Sequence, residues 1–163
     1  MSTQPTLVDR GFQIAYVVAH RLLRGWWMLR HPRTSGTLVA VWNSGELLIV
    51  KNSYRAEYTL PGGYRQRGES APEAGARELL EECAIVVPAA RLREAYVGEH
   101  RFEHRRDGLS IVEIELSERP SFHVDHREVV WADFKAPRAV LALRIVPHLR
   151  EYLERHPSHA AEA

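Results

Sequence analysis

Three glutamates, Glu78, Glu81 and Glu82, stand in a stretch that its flanks commit to a helix. Ser70-Ala71-Pro72-Glu73 has the form of a capping box with proline in the first turn, so a helix of about three turns opens there and runs to roughly Cys83. At about 100° per residue the three carboxylates fall within one arc of roughly 100°. Ala76, Leu79, Leu80 and Cys83 fall opposite and are expected to anchor the helix in a core. Like charges so close repel, and a solvated helix gains nothing from gathering them. A divalent cation reverses that balance, because carboxylate oxygens with open positions for water and phosphate are what Mg²⁺ or Mn²⁺ prefers. An ordinary solvated Glu-rich face is the alternative for these residues taken alone.

The rest of the chain has room for one domain. A length of 163 residues, with 45% hydrophobic and 26% charged, fits a single folded unit and excludes disordered, collagen-like and disulfide-scaffold chains. Cys83 is alone, which rules out an intrachain disulfide and a multi-thiolate metal site, and the His residues lack zinc-like spacing. A net charge of +1 leaves no electrostatic footprint for nucleic acid, and the basic segment His100–Arg106 is diluted by Glu94, Glu99 and Glu103. Nucleic acid is therefore not an expected partner. The uncharged stretch from Gly11 to His20 is too short to span a bilayer, and the start lacks the pattern of a secretory signal. A cytoplasmic protein with no membrane partner is expected.

Periodicity orders the elements. Phe12, Ala15, Tyr16, Ala19, Leu22, Leu23 and Trp26 recur at helical spacing over residues 7–30, with Gln13, His20, Arg21 and Arg24 opposite, and Pro32 ends the pattern. The apolar stripe is expected to pack on its own domain; Trp26-Trp27 and the flanking Arg residues also suit a homodimer interface or a membrane surface. Thr37–Trp42 and Glu46–Val50 read as a hairpin around Asn43-Ser44-Gly45. Further strands are expected over Tyr58–Leu60, Leu92–Gly98, Ser110–Leu116 and Val129–Phe134, with Glu113 and Glu115 facing solvent, and a last helix over Leu143–Arg155. The result is an α/β domain with a mixed sheet: an added N-terminal helix in residues 1–34, the domain proper in 35–156, and a frayed tail in 157–163.

Around the carboxylates the spacing is longer than one helix. Gly63, Glu69, Arg77, Glu78, Leu79, Glu81, Glu82 and Ile85 stand where the Nudix box has Gly, Glu, Arg-Glu, a bulky aliphatic, Glu-Glu and a final aliphatic. This resembles the Nudix hydrolase family, with one departure: Ala84 stands at the family's Gly, where a left-handed residue after the helix costs an alanine about 1 kcal/mol. Leu60-Pro61-Gly62-Gly63 before the box and Val130-Trp131 near the end extend the resemblance over about residues 35–153.

The resemblance implies a Nudix α/β/α sandwich and a Mg²⁺-dependent (or Mn²⁺-dependent) pyrophosphohydrolase that cleaves a nucleoside diphosphate linked to another moiety by attack of activated water on phosphorus. Carried over by position, Glu78, Glu81 and Glu82 are metal ligands with the Gly62 carbonyl, Glu69 an accessory acid of the metal site that contacts the metal through water, and Arg77 the residue that orients the cluster. Later candidates for the general base are Glu103, Glu118 and Glu128, with Glu128 preferred because it precedes the Val130-Trp131 strand. Tyr54 and Arg55, in the loop before the box, are placed to stack on a base or grip a phosphate. A non-catalytic nucleotide sensor and an RNA 5′-end pyrophosphohydrolase are the alternatives.

Overall fold

Val39 and Val41 leave one face of strand β1 (Arg33–Asn43), Ala40 and Trp42 leave the other, and all four are buried. A strand apolar on both faces needs cover on both. The computed structural model, which describes residues 6–30, 33–102, 105–124 and 126–155, supplies it. On one side helix α2 (Ala71–Cys83) brings Leu79 and Cys83 into a cluster with Val39, Val41, Leu48 and Val112. On the other, helix α4 (Pro147–Arg155) brings Leu149, Tyr152 and Leu153 together with Trp42, Leu47 and Ile49. The buried Trp42 donates its indole N–H to Tyr152 at 3.0 Å, and Tyr152 donates to Glu113 at 2.8 Å, so both aromatic polar atoms are satisfied.

The sheet is mixed, as expected. β1 runs parallel to β6 (Arg105–Glu115), and β5 (Arg93–Phe102) pairs antiparallel with β6 beyond it. The other edge of β1 is shared: β2 (Glu46–Asn52) pairs with its end and β4 (Gly62–Tyr64) with Gly36–Leu38. β3 (Tyr58–Thr59) and β7 (Val129–Lys135) then pair with β2. Ser44 and Gly45 both have positive φ in the β1–β2 turn, the form whose twist matches a tight hairpin. β1 is therefore forked, and a cavity opens at the fork.

Four expectations are corrected. The last helix starts at Pro147, not Leu143: proline has no N–H to give inside a helix but suits its first position, and the preceding turn forms a separate short helix α3 (Pro137–Leu141). Leu80 is 50% exposed while Glu82 is only 6% exposed, so the carboxylate arc of α2 overlaps its buried side. Glu113 faces α4, because both faces of the sheet are covered. Most surprising in sequence terms is helix α1 (Leu7–Arg30), which meets the domain mainly with its polar side, although Tyr16 and Phe12 of the expected apolar stripe also touch it, at Tyr54 and Arg127. Gln13 donates to the His126 carbonyl at 2.6 Å, Asp9 pairs with Arg127 at 3.2 Å, and His20 is buried with its ring centroid 4.7 Å from that of Tyr54. The surface offered there is itself polar, so Asp, Gln, Tyr and His match it, and Leu22, Leu23 and Trp26 stay outside. The tail 157–163 lies outside the described residues.

Helix α2 begins and ends as its sequence dictates. Ser70 and Glu73 make the reciprocal capping box, and Ala84 adopts the left-handed conformation (φ 56°, ψ 26°) with its amide returning to Leu80 at 3.0 Å. Replacing Ala84 with Gly removes the left-handed penalty of about 1–2 kcal/mol and returns part of it as unfolded-chain entropy. We expect Ala84→Gly to stabilise the fold by about 0.5–1 kcal/mol, read as a higher urea midpoint at unchanged m-value.

Candidate active site

Arg77 is the hub of the site. Its Nε and one terminal nitrogen grip Glu69 at 2.9 and 3.0 Å, the other terminal nitrogen reaches Glu78 at 2.7 Å and Glu81 at 3.2 Å, and the Tyr64 carbonyl accepts at 3.1 Å. The bidentate grip holds the Glu69 carboxyl below its ordinary range, chiefly through the hydrogen bond from Arg77. Glu78 goes the other way: burial pushes its pKa up, and the Arg77 hydrogen bond only partly opposes this. Glu82 turns from the guanidinium and accepts the Gly62 amide at 2.8 Å.

Two glycines make this approach possible. Gly62 has φ +144°, and a Cβ there would stand 2.2 Å from the Thr37 carbonyl oxygen. At Gly63 a Cβ would stand 2.6 Å from Glu78 Oε1. The Glu78 carboxylate thus lies across the bare backbone of β4, which a side chain would push away.

These residues border a cavity of about 380 Å³ at the fork of β1. Gly62, Gly63, Arg77, Glu78 and Glu81 line one part of it, and Tyr54, Arg55 and Glu128 line another. Tyr54 donates its hydroxyl to Glu128 Oε1 at 3.0 Å across 74 residues of sequence. Its ring is packed by His20 and Tyr16 of α1, and burial raises its pKa above the ordinary tyrosine value. Arg55 places its guanidinium 5.4 Å from the same ring. Glu118 lines a different depression, and Glu103 lies outside the described residues.

The inner wall was not foreseen from sequence. Asn52, Thr59 and His148 line the cavity and are buried, and among the described residues Asn52 Oδ1 and Thr59 Oγ1 have no hydrogen-bond partner. Asn52 ends β2 and Thr59 lies in β3, positions that in sequence look like ordinary strand polar residues. His148 arrives from α4, and no local pattern marks it.

Among the described residues no three acidic, His or Cys side chains converge into a ready-made metal cage. The cause is visible: Arg77 stands between Glu78 and Glu81, and Glu82 is turned to the Gly62 amide. The donor set nevertheless fits a hard divalent cation. It is all carboxylate oxygen, Glu78 is half-buried with its charge disfavoured, and Glu81 is exposed enough to swing.

A family model described as NUDIX domain matches residues 32–156. Solved structures share the fold: the MutT protein from Methanosarcina mazei Go1 is 18% identical with a TM-score of 0.69, covering 80% of this chain and 96% of that one. A C. elegans Ap4A hydrolase is 16% identical with a TM-score of 0.66, covering 80% and 99%. A bifunctional NMN adenylyltransferase/ADP ribose pyrophosphatase from Francisella tularensis, complexed with AMP and Mn ion, is 16% identical with a TM-score of 0.69, covering 91% of this chain and 48% of that one. No curated protein matches the chain.

The contact at Gly63 yields a separable prediction. The clash of an added Cβ is with the far end of a flexible side chain, so Gly63→Ala should leave Tm within a few degrees while displacing the Glu78 carboxylate. Mn²⁺ affinity measured by calorimetry is expected to fall about tenfold, close to 1.4 kcal/mol.

Proposed function

The chain belongs to the NUDIX domain family, and from that premise we propose that it is a pyrophosphohydrolase that uses Mg²⁺, with Mn²⁺ as a substitute, to cleave a small nucleoside diphosphate linked to another moiety. The observation that carries this reading is the cavity itself, where Glu78 and Glu81 under the Arg77 clamp share one space with a Tyr54-held Glu128. The Francisella protein's AMP and Mn ion, and the nematode protein's activity on Ap4A, support a nucleotide substrate and a divalent cation.

In this reading Glu78, Glu81, Glu82 and the Gly62 carbonyl hold the cation. When bound it offsets pyrophosphate charge and acidifies water for attack at phosphorus. Glu69 acts through Arg77, fixing the guanidinium so that Glu78 and Glu81 are presented together. Glu128 accepts the proton of the attacking water at its carboxylate, which the Tyr54 hydroxyl orients. The water oxygen bonds to phosphorus as the bridging P–O bond breaks, and the phosphate oxygen of the departing half keeps the electron pair. Arg55 takes a phosphate oxygen. The buried acceptor of Asn52 and the hydroxyl of Thr59 favour a polar moiety on the inner wall, since leaving such atoms unmatched costs about 1–3 kcal/mol each.

The test is Mg²⁺-dependent release of a nucleoside monophosphate from a panel of nucleoside diphosphate derivatives. Glu82→Gln preserves shape and the acceptor for Gly62, and is expected to lower turnover at least about 100-fold; undiminished turnover would remove Glu82 from the ligand set. Thermal stabilisation by nucleotides without turnover anywhere in the panel would make the protein a nucleotide sensor instead. Tyr54→Phe deletes only the hydroxyl that orients Glu128. We expect kcat to fall about tenfold with KM within about twofold, because the loss falls on proton transfer rather than on ground-state binding.

A further inference from the structure

Helix α1 meets the domain through Asp9, Gln13, Tyr16 and His20, which at 100° per residue lie within about 60° of arc. Diametrically opposite, Gly11, Ile14, Val18, Leu22 and Gly25 lie within about 80°. Ile14 is 66% exposed, Val18 50% and Leu22 71%, and nothing stands within 4 Å of a Cβ built on either glycine. Among the described residues eight large apolar side chains of the helix are exposed, and four of them, Leu7, Ile14, Val18 and Leu22, lie within that 80° arc. Those four present on the order of 500 Å² of apolar surface, at the upper end of the roughly 300–600 Å² patch usual on a monomer, with Val8 and Trp26 bordering them.

The order of this seam identifies its occupant. Counted from Val18, glycine stands seven residues to either side, at Gly11 and Gly25, and a branched aliphatic stands four to either side, at Ile14 and Leu22. Such a palindrome of size is what a two-fold interface requires, since an isologous contact must complement itself. An antiparallel pair with its axis at Val18 sets Val18 on its own copy, Ile14 beside Leu22 and Gly11 beside Gly25, and the glycines let the helix axes approach to about 8 Å. The seam itself carries no charge. Asp9, the only acid of the helix, is held on the domain side by Arg127.

We propose that the outer face of α1 is a homodimerisation surface whose occupant is α1 of a second copy, antiparallel, with the two-fold axis at Val18. The two domains then lie on opposite outer sides, and both cavities stay open. This stands independently of the catalytic reading.

The full chain at micromolar concentration should sediment at twice its 18.7 kDa mass. Val18→Glu brings two carboxylates together at the axis and is expected to raise the dimer dissociation constant at least about tenfold. Circular dichroism and Tm should hold, because the side chain points away from the domain. Mild oxidation should cross-link Val18→Cys to itself, while the native Cys83 is buried. Ile14→Cys should not cross-link to itself, since the antiparallel register sets the two introduced thiols about 12 Å apart along the axis, beyond the roughly 7 Å Cα limit of a disulfide. Mixed with Leu22→Cys it should cross-link readily. A monomer at every concentration, a dimer indifferent to Val18→Glu, or self-linking of Ile14→Cys would each overturn the proposal. So would a monomer that instead sediments with phosphatidylcholine/phosphatidylserine vesicles, which would make this face a lipid-binding one.

Discussion

One guanidinium holds three carboxylates in place. Without Arg77, Glu69, Glu78 and Glu81 would repel one another, and Glu78 would add a burial penalty to that repulsion. With it, the acids are stored as a charge-assisted network gathered around one guanidinium. Glu82 is stored differently. Nearly buried, it is satisfied by a backbone amide, and that amide is available because Gly62 takes a backbone conformation closed to side chains. The fork of β1, the glycine pair of β4 and the buried face of α2 all follow from the need to bring a helix bearing carboxylates against bare backbone.

The second half of the site depends on a different device. Tyr54 and Glu128 sit on two loops far apart in sequence, and each loop is held by α1: Tyr54 by His20 and Tyr16, the Glu128 loop by Gln13 through His126 and by Asp9 through Arg127. Loops at a sheet edge are ordinarily the most mobile part of a fold. A helix that braces both turns them into a fixed wall, which explains why an element outside the sandwich packs beside the cavity at all.

How much of this was legible in the sequence follows from how local each signal is. The capping box of α2 and the hairpin around Asn43-Ser44-Gly45 are decided within a few residues, and the sequence predicts them correctly. The carboxylate set is legible because all of it lies on one helix and its preceding loop. Burial is not local. In sequence Glu82 lies opposite the core-facing residues of α2, and only the fold shows it nearly buried against the Gly62 amide; Pro147 is overruled by the apolar periodicity that starts at Leu143 even though its chemistry marks the true helix start. Asn52, Thr59 and His148 come from three elements, and only the sheet topology brings them to one cavity.

Helix α1 shows why hydrophobic periodicity cannot say which way a helix faces. The period identifies an apolar stripe and a polar one, and the usual inference buries the apolar one because most helices pack on apolar sheets. The patch beneath α1 is built instead from a tyrosine ring, a carbonyl and an arginine, so the polar stripe has the better partner at hand. Each Asp, Gln and His contact made there satisfies a group that water would otherwise hold, for about 0.5–1.5 kcal/mol apiece, whereas an apolar stripe on the same patch would leave those groups unmatched. The apolar stripe then stays exposed, and at about 25 cal/mol per Å² its exposure is the larger cost. A fold that accepts that cost within one chain is complete only when a second surface covers it, so the inward polarity of α1 and the demand for an outward partner are one fact seen from two sides.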